Sequence, residues 1–122
     1  MNWYIAKIIF RIVSGEGNHC AQFDEQLRLV EAGNEAAAFE KANGIGIAGQ
    51  DSFLNAKKET VMWQFIAVTE INSIANLNDG AELYYRLHEA QDAAGYIEQA
   101  KLRSALLSCQ RKPTLITMHK SA

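Results

Sequence analysis

A chain of 122 residues, 48% hydrophobic and 21% charged, has the apolar content for one folded domain with its own core and is not a disordered tail. A formal net charge of −2, with acids and bases interspersed, excludes a basic nucleic-acid-binding stripe, and no common nucleic-acid signature is present. The two cysteines, Cys20 and Cys109, are too few for a disulfide scaffold and form no CxxC pair, which points to reduced thiols and a cytoplasmic protein.

The opening "MNWYIAKIIFRIV" places Tyr4, Ala6, Ile8, Phe10 and Ile12 on one face at a two-residue period, the pattern of a strand. Lys7 and Arg11 interrupt it, and it is too short to span a bilayer, so neither a signal peptide nor a membrane segment is expected. After the turn residues "SGEGNH", "QFDEQLRLVEA" puts Phe23, Leu27 and Leu29 on one face of a second strand. Asn34 is placed to cap a helix along which Ala38, Phe39, Ala42 and Ile45 recur. In "TVMWQFIAVTEI", Val61, Trp63, Phe65 and Ala67 alternate with Met62, Gln64, Ile66 and Val68, both sets largely apolar. The loop "NSIANLNDG" then leads to "AELYYRLHEA", which reads as a fourth strand. Asp92 caps a second helix carrying Tyr96, Ile97, Ala100, Leu102 and Leu106.

The order β-β-α-β-β-α predicts an α+β fold: a four-stranded antiparallel sheet with both helices on one face. The domain is expected over 1–108. Residues 109–122 form a tail that either packs on the sheet through Leu115, Ile116 and Met118 or frays beyond Pro113. An internal duplication is a further possibility. Residues 28–42 and 86–100 agree at seven of fifteen positions at an offset of 58, though three of the identities are alanines.

The segment "NGIGIAGQD" has the spacing Gly44-x-Gly46-x-x-Gly49 of a dinucleotide-binding turn, with Glu70 near the distance of a ribose-binding acid. Such a turn must follow a strand and open a helix, so that helix N–H groups meet the phosphate. Here the glycines close a helix, where partial negative charge would repel phosphate. They are read instead as a C-terminal end with a left-handed cap.

No other motif announces chemistry. His19, Cys20, Asp24 and Glu25 are metal-ligand types near one hairpin, but their spacing fits no zinc pattern, and a solvated turn explains them. His88 and His119 are scattered, and Cys109 closes an apolar helical stripe as a small buried or semi-buried hydrophobe. No nucleophile signature such as GxSxG is present, and no cofactor or metal site is expected. Glu25 shares the face of Phe23 and Leu27. A regular strand would then bury it under the helices as a candidate site acid, whereas a bulge, or a strand that starts only at Gln26, would release it.

The sheet face away from the helices collects Trp3, Ile5, Lys7, Ile9, Arg11 and Val13 from the first strand and Met62, Gln64, Ile66 and Val68 from the third. That is too apolar for water and predicts a homodimer or protein-partner surface, with Lys7, Arg11, Gln64 and Arg86 facing Asp24 as its polar part. The alternative is a small-molecule binder or enzyme with a pocket between sheet and helices or at a dimer interface. Its residues would be His19, Asp24, Glu25, Arg28 and Arg86.

The segments "MNWYIAKIIFRI", "QFDEQLRLVEA", "AFEKANGIG", "WQFIAV" and "DGAEL" together resemble the bacterial family known as domain of unknown function 4288. The likeness runs from Met1 to about Ile97. It implies a compact intracellular α+β domain and brings no activity, cofactor or catalytic residue. The expectation is therefore a non-enzymatic interaction or dimerisation domain.

Overall fold

The computed structural model of the chain describes residues 1–17 and 20–109, in two compact units that divide between Tyr85 and Arg86. The first unit begins with β1 (Asn2–Ser14) and β2 (Gln22–Ala32), which form an antiparallel hairpin. Helix α1 (Glu35–Ala48) follows after two residues. Next come the short β3 (Asp51–Leu54) and the long β4 (Thr60–Ile74). The sheet order is β2-β1-β4-β3, antiparallel throughout. With α2 (Ala93–Cys109) in the second unit, the chain has four antiparallel strands and two helices in the expected order, an α+β fold.

One strand differs from the sequence reading. Residues 81–90 form no strand, and the remaining strand of the sheet is β3, "DSFL", which pairs with the start of β4. Its four residues are too few to show a period. The Tyr-rich alternation at 81–90 pairs with no strand. The repeat is accordingly shared only in its second half. Asn34 Oδ1 accepts from the Ala37 amide at 2.8 Å, and Asp92 Oδ1 accepts from the Gly95 amide at 3.0 Å, so both helices begin with the expected caps. The residues before those caps are a strand in one case and irregular in the other.

Tyr4, Ala6, Ile8 and Phe10 of β1 face α1 and form the core with Val30, Ala32, Ala38 and Ala42. Phe10, Ile8 and Val30 are the largest fully buried side chains, each contributing about 1.5–3 kcal/mol by its removal from water. β4 supplies Phe65, Val68 and Ile71 to the same layer. The spacing of three is not a strand period. It arises because the β1–β4 register shifts between Lys7 and Ile8 and again between Ile9 and Phe10. Each bulge adds one residue to β4 and returns an apolar side chain to the core. Val68, expected on the open face, therefore packs inward opposite Ile8, and Ala67 lies opposite Ile9.

The glycines serve packing rather than chain reversal. Gly44 and Gly46 lie inside α1, and Gly49 caps it with φ −83°, a right-handed conformation instead of the expected left-handed one. The run opens no helix, and β3 follows it. A Cβ at Gly46 would overlap the Phe65 ring, and one at Gly49 would come within 3.1 Å of Phe10. Their absence lets the last turn of α1 settle directly on the two phenyl rings, which pack edge to face at 6.2 Å.

In the second unit, α2 buries none of its residues, and His88 stacks on Tyr96 with ring centroids 5.3 Å apart. Cys109, expected to be buried or semi-buried, is exposed. The expected tail beyond Cys109 lies outside the described residues.

Candidate interaction surface

The β1–β2 hairpin pairs residues whose numbers have a constant sum: Ile5 with Leu29, Lys7 with Leu27, Ile9 with Glu25 and Arg11 with Phe23. Odd-numbered residues therefore face odd-numbered ones. Since the even residues of β1 meet α1, the apolar row of β2 turns away from the helix. Phe23, Leu27 and Leu29 are 54%, 54% and 50% exposed, a correction to the expectation that they would be covered. Glu25 stands among them on the open face. β2 begins at Gln22 and has no bulge, so neither burial under a helix, nor a bulge, nor a strand starting only at Gln26 applies.

Lys7 holds the middle of this face. Its ammonium lies 2.9 Å from Glu25 and 3.7 Å from Glu70, one carboxylate on each neighbouring strand. The hydrogen bond to Glu25 raises the Lys7 pKa above the usual lysine value. Burial opposes that rise, and the charges of Glu25 and Glu70 with Tyr84 nearby add to it. The Tyr84 hydroxyl donates to Glu70 at 2.8 Å, so the segment after β4 returns across this face.

The interface candidates sort accordingly. Ile5 is 6% exposed although it points away from α1. Trp3, Lys7, Ile9 and Gln64 are half-buried, and Arg11 is exposed. Ile66 occupies the bulge beside Ile9 and is 51% exposed. The most exposed apolar row of the sheet belongs to β2, whose alternation alone predicts that row to be in the core.

On the α1 side, β2 carries a polar ladder instead. Arg28 Nε donates to Gln26 Oε1 at 3.1 Å, and Gln26 Nε2 donates to Asp24 Oδ2 at 2.6 Å. The Trp63 indole donates to the same Asp24 oxygen at 3.0 Å, and its ring stacks on Phe53. Asp24 and Arg28 are thus brought onto one face, with Glu25 on the other. Arg86 belongs to the second unit, and His19 lies outside the described residues. The expected juxtaposition of Asp24 with Lys7, Arg11 and Gln64 is not formed, because Asp24 pairs with Phe10 on the helix side.

Among the described residues no three His, Cys, Asp or Glu side chains converge as a metal cluster. No helix among them is long and apolar enough to cross a membrane. An open depression of about 1040 Å³ lies where the β1 and β3–β4 turns meet, lined by Ser14, Glu16, Cys20, Gln22, Asn55 and Glu59. None of Asp24, Glu25 and Arg28 lines it.

The family model of the domain of unknown function DUF4288 matches residues 3–85. The match ends short of Ile97, at the boundary of the first compact unit. No curated protein and no solved structure matches the chain.

Proposed function

The chain belongs to the DUF4288 family, and from that premise we propose that its first unit is a protein-interaction domain that associates through the sheet face opposite α1. The observation that carries this reading is the exposed row Phe23, Leu27 and Leu29 on a regular strand, continuous with half-buried Ile9 and Trp3. Three large apolar side chains at half exposure on one strand face are costly in water and are withdrawn from it by association. The Lys7–Glu25–Glu70 cluster in their midst gives the face a fixed charge pattern and hence orientation. This reading takes the domain to be non-enzymatic, bacterial and cytoplasmic, with a protein partner or a second copy and no nucleic acid. The interspersed charge, with a net of −2, supports the part of it that leaves out nucleic acid.

Light scattering from nanomolar to high micromolar concentration, with pull-down from the native cell, tests the proposal. Leu27→Glu places a charge at an exposed site on this face, so folding is retained while association is lost. Association unchanged by Leu27→Glu, in self-assembly and in pull-down alike, refutes the use of this face.

A further inference from the structure

The two edges of the sheet are built differently. On the β3 side, the edge strand is only four residues long. The stretch of β4 beyond it carries both bulges, and Gln50 Oε1 accepts from the Phe65 amide at 3.0 Å. Short edge strands, bulges and side-chain plugs are how proteins prevent edge-to-edge pairing. The β2 edge has almost none of this. It runs eleven residues in unbroken register with β1, contains no proline and turns an apolar row outward. Only at its end does a side chain intervene, where Lys41 Nζ donates to the Glu31 carbonyl at 3.0 Å.

The sequence of that edge is self-complementary. We propose that a second copy of this chain adds to β2 by antiparallel β2–β2 pairing about a two-fold axis at Gln26, making one continuous sheet. In this register residues whose numbers are equally far from Gln26 lie directly opposite and share a face. Gln26 meets its own counterpart, Asp24 meets Arg28 of the other copy, and Phe23 meets Leu29 of the other copy.

Both ion pairs form at once, because the axis repeats them. Within the chain, Arg28 spends its Nε on Gln26 and has no carboxylate at ion-pair distance among the described residues. The Gln26 bridge to Asp24 holds both side chains in line along the strand. The pairing covers Gln22 to Val30 and stops one residue before the Glu31 carbonyl that Lys41 occupies.

Neighbouring registers are worse. An axis at Glu25 would set the two Glu25 carboxylates against each other and separate Asp24 from Arg28. One at Leu27 would oppose Asp24 to Val30 and Phe23 to Glu31. The charges therefore select the register as well as strengthen it.

The inference goes beyond the reading of the open face: the contact is the backbone edge of β2, which extends that face across two copies, and its partner is the same chain. Its test is charge exchange, using residues on the helix side of β2 and leaving the apolar row intact. Asp24→Arg alone opposes two arginines across each pair, and Arg28→Asp alone opposes two aspartates. Each variant weakens self-association by about tenfold or more. An equimolar mixture of the two restores both attractions, so it recovers a dimer by light scattering that neither variant forms alone.

Asp24→Arg also removes an acceptor from Trp63 and Gln26, so a second variant guards against misfolding. Gln26→Cys, with Cys20 and Cys109 replaced by serine, cross-links to itself across the axis on oxidation, whereas Leu27→Cys in the same background does not. Cross-linking of Gln26→Cys together with dimer recovery in the mixture supports the pairing. Two results overturn it. Dimers that persist in both single charge variants, with no Gln26→Cys cross-link, place self-association elsewhere on the face and leave the proposed function standing. A wild-type monomer at every concentration removes self-pairing, and the interaction reading then depends on the pull-down.

Discussion

Gly44 and Gly46 lie two residues apart on α1, on opposite sides of the helix, and alanine at each isolates what the second glycine does. A Cβ at Gly44 meets nothing within 4 Å, so Gly44→Ala gains the helix propensity of alanine, about 0.8–1.0 kcal/mol. The same gain applies at Gly46, but there the new methyl overlaps the Phe65 ring. That ring has little room to withdraw, because it packs edge to face against Phe10, which is fully buried. Overpacking of this kind costs about 1–3 kcal/mol.

Since propensity cancels between the two variants, their difference in stability is the overpacking cost itself. At about 4–8 °C per kcal/mol for a domain of this size, Gly44→Ala melts roughly 5–20 °C above Gly46→Ala. Urea unfolding followed by circular dichroism gives the difference directly, and thermal melts give its sign. In a double-mutant cycle, Phe65→Leu relieves part of the Gly46→Ala penalty and shows that the ring is the obstacle. Equal stability of the two alanine variants would refute the close approach of α1 to β4.

The Lys7 ion pair is a stability device with a defined pH window. Because its folded pKa lies above the usual 10.5, the pair's contribution is complete below pH 10.5 and is lost as pH rises through the folded value. Wild-type stability therefore falls more steeply than that of Lys7→Met above pH 10.5 and runs parallel to it below. Parallel curves throughout would show that the pair contributes nothing. Asn34→Ala removes the acceptor for the Ala37 amide and lowers stability by about 1 kcal/mol in urea denaturation; no loss would mean that water replaces the cap.

Local chemistry made much of the fold legible in the sequence. A short polar side chain before an apolar helical period predicted both helix caps. A two-residue period predicted β1 and β2, and the order of elements predicted the α+β class. What was hidden had a common cause. β1 is apolar on both faces, with Ile5 and Ile9 on one and Ile8 and Phe10 on the other, so its alternation does not say which face a helix covers. β2 alternates cleanly, but which of its faces turns inward depends on hairpin register. A slip of one residue in the turn exchanges the two faces. Here the register exposed Phe23, Leu27 and Leu29 and placed Asp24, Gln26 and Arg28 beside the helix.

The bulges of β4 likewise left no local mark. "FIAVTEI" looks like an ordinary alternating run until its pairing with β1 must keep Phe65, Val68 and Ile71 in one layer. Glu25 reads as a candidate buried acid from its neighbours alone, and pairing with Ile9 makes it the ion-pair partner of Lys7. Segment 81–90 has a strand's composition without a strand's neighbour. The sequence by itself determined which residues cap, which alternate and which are apolar, because those properties belong to single side chains and their spacing. Only the tertiary structure decided which face was covered, because register and bulges are properties of two strands held together, and neither strand carries them alone.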